Sequence, residues 1–281
     1  MTEFRPSRFE ILPTVVKNLL IINGLVFLAQ NTLGGQGASF SFENLFALHA
    51  WQSPLFKPWQ LITHMFLHST TDWGHIFGNM LGLYMFGAVL ENLWGPKRFL
   101  TFFIICGLGA ALMHLLFLSY ELVPMMKDYT DILVERASSN GQTTALFNFG
   151  MKHPHAFEQN ADLVSMVANN PNNLDASNAL FQYVSSYYDA NLNTATLGAS
   201  GAVFGILAAF VYLFPNTYIY LYFLVPIKAK WLGIGYFTWE LFFAIRNSAG
   251  DNIARWAHVG GAIVGLIIVM TWNKKNKKNF Y

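Results

Sequence analysis

Residues 198–214 read GASGAVFGILAAFVYLF, a stretch without a charged side chain that carries Ser200 near its start. A second apolar stretch, about sixty residues later, begins near His258. Both are too apolar for the surface of a water-soluble protein and suit a lipid bilayer. Polar side chains are costly in such segments and are seldom found there without a partner or a function. A candidate nucleophile and a candidate base at the start of two such stretches therefore indicate a functional site.

The composition of the whole chain agrees with a membrane protein. Of its 281 residues, 54% are hydrophobic and 11% are charged, against roughly 25% charged residues in a typical soluble domain. The net charge of +2 is too small to favour nucleic acid as a partner. The single cysteine, Cys106, excludes a disulfide within the chain.

Apolar runs near the length of a membrane-spanning helix predict an all-α fold, a polytopic bundle of six transmembrane helices. The runs are 14–33, 75–93, 98–119, 199–214, 231–246 and 254–272. Eleven of the 17 lysines and arginines fall on the side of the N-terminus, which predicts that both termini are cytoplasmic. A cleaved signal peptide is the alternative for the first run.

The runs divide the chain into three predicted parts. Residues 1–119 form the first half of the bundle, with a membrane-interface loop at 34–74, and residues 198–281 form the second half with a short basic tail. Between them, 120–197 carry a net charge of −5 and form an extracytoplasmic insertion between the third and fourth helices. We expect a partly helical cap, with a long mobile insertion as the alternative. The aromatic strip 217–231 is either interfacial or an ordinary loop.

Four polar residues share one depth in this topology. His75 and Asn79 lie at the start of the second helix, Ser200 at the start of the fourth and His258 at the start of the sixth. Every even-numbered helix runs from the outer to the inner face, so all four lie within about two turns of the outer face. This coincidence predicts a single site.

The chemistry of these side chains suggests their roles. A neutral imidazole can remove the proton of a serine hydroxyl, which makes Ser200 the candidate nucleophile and His258 the candidate general base. Glycines four residues apart in both helices, including Gly201 and Gly261, would let the two helices approach closely. His75 and Asn79 are four residues apart on one helix face and can donate to an oxyanion together with the Ser200 backbone N–H.

The only carboxylate that the sequence places near His258 is Asp251, just outside the predicted helix. A Ser–His dyad is therefore expected rather than a triad. Glu240, in the fifth run, receives no functional role.

Other interpretations of these residues remain. Ser200 could be a small helix-packing residue, and His75, Asn79 and His258 could serve a proton or metal transporter. His64 and His68, with His75, could ligate a metal. That set lacks a thiolate or a well-placed carboxylate, so we expect no metal and no cofactor and interpret His64 and His68 as structural.

The motifs resemble those of the rhomboid intramembrane serine proteases. The matching residues are Gly198-Ala199-Ser200-Gly201, His75 with Asn79, and Ala257-His258-Val259-Gly260-Gly261, supported by His64-Met65-Phe66-Leu67-His68 and by Glu91, Gly95 and Arg98. The resemblance implies a Ser200 nucleophile, a His258 base and an oxyanion hole of His75 and Asn79. It also implies that Phe204 stacks on the histidine.

The resemblance implies the basic six-helix form and a serine endopeptidase that cleaves transmembrane protein substrates near the outer face. A catalytically silent relative that binds membrane helices and a histidine-based transporter are the alternatives. The expected partners are transmembrane substrates and the lipid bilayer, and the expected location is a bacterial inner membrane. Two departures are Gln60, where the family commonly has arginine after Trp59, and the long insertion.

Overall fold

The computed structural model describes residues 9–34, 41–138, 144–158, 160–221, 225–246 and 254–278. Asp251, named above as the nearest carboxylate, lies outside these residues. The chain divides into two compact units. The first comprises Met1–Leu48, Lys57–His114 and Ala195–Tyr281, and the second comprises His49–Phe56 and Leu115–Thr194. The predicted boundaries at 119/120 and 197/198 stay a prediction.

The structure is mostly helical. In chain order the elements are α1 (Thr14–Leu33), α2 (Phe42–Phe46), α3 (Gln60–Thr63), α4 (Trp73–Gly82), α5 (Ala88–Trp94), α6 (Pro96–Ser138), α7 (Thr144–Lys152), α8 (His155–Glu158), α9 (Ala161–Asn169), α10 (Leu174–Leu192), α11 (Ser200–Leu213), β1 (Tyr218–Leu221), β2 (Val225–Lys228), α12 (Ala229–Arg246) and α13 (Arg255–Lys278). A 3₁₀ turn, His64–Phe66, follows α3, and a π-helical turn, Leu83–Gly87, joins α4 to α5.

Within the described residues, four helices are long and apolar enough to cross a membrane: Thr14–Leu33, Trp73–Trp94, Pro96–Ser138 and Arg255–Lys274. The fourth predicted span, α11, is apolar but has 14 residues, or about 21 Å at 1.5 Å per residue. The fifth, α12, has 18 residues and includes Lys230, Glu240 and Arg246. The protein is therefore a mostly helical membrane protein with about four apolar candidate spans.

The prediction of an all-α fold was wrong at the aromatic strip. Strands β1 and β2 form an antiparallel hairpin in which Tyr218 pairs with Lys228 and Leu221 with Val225. Tyrosine and isoleucine alternate along β1, and both residue types favour an extended, half-buried backbone. The strip therefore contains two paired strands rather than an ordinary loop, and its place at the membrane interface stays a prediction.

The third predicted helix is also longer than expected. Its apolar run ends near residue 119, but α6 continues to Ser138. The apolar composition ends near residue 119, whereas residues that favour a helix continue beyond it. Hydropathy alone therefore does not mark the end of such a helix.

The insertion contains four further helices, α7 to α10, which confirms that it is partly helical. The second unit has its own hydrophobic core, which includes Ile132, Leu146, Phe149 and Leu180. The suggestion that it acts as a cap stays a prediction.

The start of α1 is held by a buried carboxylate. Glu91 of α5 is 3% exposed, and its two oxygens accept hydrogen bonds from the backbone N–H groups of Val15 and Val16, both at 2.8 Å. These N–H groups lie in the first turn of the helix, where no intrahelical acceptor exists and the helix dipole favours an anion. Glu91 therefore links α5 to α1.

Replacing this carboxylate is expected to weaken the first unit. Glu91→Gln should lower the unfolding free energy by about 1–3 kcal/mol, because the neutral amide cannot accept both bonds as an anion does. The midpoint of thermal unfolding in detergent measures the change. Glu43→Gln, at an exposed position in α2, is the matched control, and equal midpoints for the two variants would contradict the role of Glu91.

Candidate active site

Two glycine pairs bring α11 and α13 together. A methyl group added to Gly261 would collide with the backbone carbonyl oxygen of Gly201, and one added to Gly265 would lie 2.6 Å from that of Gly205. Gly201 also packs closely against Ala110 of α6. Small residues at this spacing allow backbones to touch, as the sequence predicted.

This close approach places the serine against the histidine. The Ser200 hydroxyl oxygen lies 2.8 Å from Nε2 of His258. Ser200 is the first residue of α11, so its N–H is among those that have no partner within the helix. At this distance the hydroxyl can form a hydrogen bond with the imidazole nitrogen and transfer its proton to it.

An aromatic side chain covers the histidine. The ring of Phe204 stacks on that of His258 at a centroid distance of 4.2 Å and an angle of 8°. Phe204 in turn contacts Tyr236 of α12, with centroids 4.9 Å apart. The imidazole plane is therefore fixed by packing, at the position that the resemblance implied.

The other ring nitrogen of His258 contacts Glu240, a carboxylate to which no functional role was assigned above. Nδ1 lies 2.9 Å from Oε2 of Glu240, and Oε1 of Glu240 lies 3.3 Å from Nη1 of Arg255. The prediction that no carboxylate other than Asp251 lies near His258 at comparable depth was therefore wrong. Glu240 is six residues from the end of α12, and His258 is three from the start of α13. Residue counting is consistent with similar depths for the two residues, but the sequence does not show towards which side of α12 the Glu240 side chain points.

His75 lies close to Gly198 and to the Ser200 hydroxyl. A methyl group added to Gly198 would lie 2.7 Å from Nε2 of His75 and 3.6 Å from the Ser200 hydroxyl oxygen, so both atoms border the same small space. Gly198 has a φ of +125°, a conformation that side chains rarely permit. Glycine at this position leaves room for the His75 ring and permits the positive φ.

The hydrogen bonds around His75 define its tautomer. The backbone N–H of Ser69 donates to Nδ1 of His75 at 3.3 Å, so in the neutral ring the proton is on Nε2, facing Gly198. Asn79 is buried, and its amide nitrogen donates to the backbone carbonyl of His75 at 2.8 Å. One amide hydrogen of Asn79 is left for a further acceptor. Both side chains can therefore donate, as the sequence suggested.

Backbone bonds hold the loop before Ser200. Gly198 N–H donates to the carbonyl of His64 at 2.9 Å, and Leu48 and Thr196 exchange two bonds of 2.8 Å. The Thr196 hydroxyl also contacts Nε2 of His114 at 2.7 Å. The loop therefore has fixed contacts with segments far away in sequence.

A small cavity adjoins the serine. Its volume is about 10 Å³ and its lining includes His64, Thr196 and Ser200. This is about the space that the centre of one water molecule requires.

Gln60 occupies the position after Trp59 at which the resembling family commonly has arginine, and its side chain makes hydrogen bonds of its own. The side chain is buried; its nitrogen donates to the carbonyl of Asn44 and its oxygen accepts from the N–H of Lys57, both at 3.1 Å. Trp59 donates from its indole nitrogen to the carbonyl of Leu45 at 2.8 Å. The segment around α2 and α3 is thus cross-linked by Trp59 and Gln60.

His64 and His68 are buried in the same region. Nδ1 of His64 lies 2.7 Å from the carbonyl oxygen of Gln60. Burial lowers the pKa of each imidazole to about 4. In the part of the chain that the structure describes, no three histidine, cysteine or acidic side chains are grouped as metal ligands. The bond to Gln60 suits a structural role for His64. The ring of His68 lies 5.2 Å from that of His75, and the structural role of His68 stays a prediction.

The rhomboid domain family matches residues 55–149 and 174–275, which is more than half of the chain. The chain belongs to the rhomboid family. The family consists of intramembrane serine proteases, some members of which are inactive. Among curated proteins, the chain is similar to RHOMBOID-like protein 12, mitochondrial, of Arabidopsis thaliana, with 27% identity over 267 residues.

That match covers 95% of this chain and 60% of the relative, so the chain spans about three fifths of the relative's length. The protein is a multi-pass integral membrane protein. The relative is named as mitochondrial, and the expected bacterial inner membrane has no support from these comparisons.

The glycine contact between α11 and α13 is testable. Gly261→Ala should lower the unfolding free energy by about 1–3 kcal/mol, because the added methyl group forces two backbones apart. The control is Gly24→Ala in α1, where a methyl group would meet nothing within 4 Å. Thermal midpoints in detergent compare them, and a Gly261→Ala midpoint no lower than that of Gly24→Ala would refute the contact.

The buried histidines predict acid instability. The pKa of His64 and of His68 falls from 6.5 in the unfolded chain to about 4 in the folded one. Between these values the unfolded chain binds more protons, so the contribution to stability is complete above pH 6.5 and is lost as the pH falls towards 4. The loss is of the order of 3 kcal/mol for each histidine.

Unfolding midpoints measured from pH 7.5 to pH 4.5 check this sign. A midpoint that rises on acidification over this window would contradict the prediction.

Proposed function

We propose that this chain is an intramembrane serine endopeptidase that cleaves transmembrane protein substrates near the outer membrane face. The observation that carries the proposal is the 2.8 Å contact between the Ser200 hydroxyl and Nε2 of His258, between two helices that touch through glycines. A serine that only packed helices would not need an imidazole at hydrogen-bond distance. One candidate oxyanion donor, Nε2 of His75, also borders the space beside the Ser200 hydroxyl.

In the first step, the Ser200 hydroxyl oxygen attacks the carbonyl carbon of the scissile peptide, and its proton moves to Nε2 of His258. The developing negative charge lies on the former carbonyl oxygen. Nε2–H of His75, the amide of Asn79 and the N–H of Ser200 are the donors that would stabilise it.

The tetrahedral intermediate then collapses to an acyl-enzyme. His258 gives its proton to the leaving amine, and the peptide C–N bond breaks. A water molecule next attacks the acyl carbon while His258 accepts its proton, and the Ser200 hydroxyl is restored when that proton returns. Each cycle consumes one water and releases two peptide ends.

The proposed topology has six membrane-spanning helices, with α1, α4–α5, α6, α11, α12 and α13 in that order and both termini cytoplasmic. The short α11 supports this arrangement rather than opposing it, because residues such as Ile206 and Ala209 are fully buried and are covered by protein rather than lipid. Water must reach Ser200 from the outer face, where protein rather than lipid can surround the polar groups.

Two other functions use the same residues. A catalytically silent relative would bind membrane helices without hydrolysis, and a transporter would use His75 and His258 for protons or metal. Retention of both Ser200 and His258 in hydrogen-bond contact favours the protease over either one.

A serine-directed fluorophosphonate should label the purified, folded protein. Ser200→Ala is expected to abolish labelling because the nucleophile is lost, and His258→Ala should reduce it by a factor of about 100 or more because the base is lost. In-gel fluorescence measures the labelling. Ser177→Ala, which alters another buried serine in α10, should leave labelling unchanged.

The alternatives predict other results. A folded protein that is not labelled and does not cleave a reconstituted membrane substrate would be a silent relative. Flux that follows a proton or metal gradient, with no labelling, would indicate a transporter.

A further inference from the structure

A buried glutamate contacts the proposed base on the side away from the nucleophile. Glu240 is 4% exposed. One carboxylate oxygen lies 2.9 Å from Nδ1 of His258, and the other lies 3.3 Å from Nη1 of Arg255. The dyad mechanism described above makes no use of this carboxylate.

We infer that Glu240 is a positioning residue that orients His258 and stabilises its protonated form during catalysis. The inference rests on the proposed protease function and extends the dyad to a Ser200–His258–Glu240 arrangement. The three side chains come from three helices, α11, α13 and α12, that pack against one another.

The contact with Glu240 determines which nitrogen of His258 is the base. An ionised carboxylate only accepts hydrogen bonds, so Nδ1 must carry the proton and donate it to Glu240. In the neutral ring, Nε2 then has a free lone pair, and this atom faces the Ser200 hydroxyl. With Phe204 stacked on the ring face, both the plane and the tautomer of the imidazole are fixed.

In this arrangement the serine proton moves only as far as the imidazole, and no proton is transferred to the Glu240 carboxylate. The Ser200 proton moves to Nε2, while the Nδ1 proton stays on the ring and remains hydrogen-bonded to Glu240. The imidazolium then faces an anion at 2.9 Å in a place with little water, where that attraction is stronger than in bulk solvent. The proton leaves through Nε2 to the departing amine, and Glu240 stays ionised throughout.

Arg255 supports this role. Its guanidinium is 11% exposed and pairs with the free oxygen of Glu240, and it also lies 5.0 Å from the centre of the Phe243 ring. A buried carboxylate is stable as an anion only with such partners. Arg255 thus keeps the charge that His258 requires.

Other groups also face His258. His75 on α4 and His114 on α6 lie within electrostatic range of it, and Tyr236 on α12 lies within range of Glu240. Among the groups that the structure describes there, Glu240 is the one that brings a negative charge into contact with the ring. Removal of this charge should therefore shift the pH dependence of the labelling rate towards lower pH.

The experiment measures the rate of fluorophosphonate labelling of this chain in detergent from pH 5 to pH 9. Glu240→Gln should lower the rate at pH 7.5 by a factor of about 100 or more, since the amide can donate to Nδ1 and so favour the wrong tautomer. The acid limb of the profile should move to lower pH by about one to three units, because the imidazolium has lost its anion.

The matched control is Glu91→Gln, which makes the same change at a buried carboxylate that binds the start of α1. It should lower the thermal midpoint but leave the acid limb in place. A purely structural Glu240 would make its variant behave like this control, with a loss of stability and an unmoved acid limb, and that result would overturn the inference.

Glu240→Asp provides a second variant if Glu240→Gln does not fold. It retains the negative charge one methylene farther from His258, so the acid limb should stay within about half a unit of that of the unmodified protein while the rate falls. A rate equal to that of the unmodified protein would refute the requirement for contact. If the folded, unmodified protein is not labelled, the protease proposal fails and the inference with it; if it is labelled and Glu240→Gln changes neither rate nor limb, only the inference fails.

Discussion

The proposed site depends on a contact between two backbones. Gly201 and Gly261 let α11 and α13 touch, and this distance determines whether a short serine side chain can reach an imidazole on the neighbouring helix. Side chains of ordinary size would separate the helix axes and leave the hydroxyl and Nε2 too far apart for a hydrogen bond. The contact between hydroxyl and imidazole thus depends on Gly201 and Gly261, two residues that have no side-chain functional group.

Polar contacts then set the orientation of each ring. Ser69 fixes the proton of His75 on the nitrogen that faces Gly198, and Glu240 fixes that of His258 on the nitrogen that faces away from Ser200. On the side of the serine, Nε2 of His75 is therefore a hydrogen-bond donor and Nε2 of His258 is an acceptor. Neutral imidazole can serve either role, and its neighbours decide which.

Much of the fold could be predicted from the sequence, because hydropathy and glycine spacing report directly on membrane helices. Residues 14–33 were predicted as a helix, and α1 has the same bounds. Counting residues predicted a common depth for Ser200 and His258, and the structure brings their side chains into contact. Glu240 could not be assigned in this way, since its role depends on the rotation of α12, and a single acid in an apolar helix does not determine that rotation. The hairpin was missed because its tyrosines suit a membrane interface as well as a strand.

The π-helical turn Leu83–Gly87 sets the phase between two ends of one helix. Such a turn includes about one extra residue, which rotates everything beyond it by about 100° relative to an uninterrupted α-helix. His75 lies before the turn and faces Ser200, whereas Glu91 lies after it and faces the start of α1. A chain shortened by one residue here could satisfy one of these partners but not both. The length of this turn therefore couples assembly of the first helix to the geometry of the candidate oxyanion site.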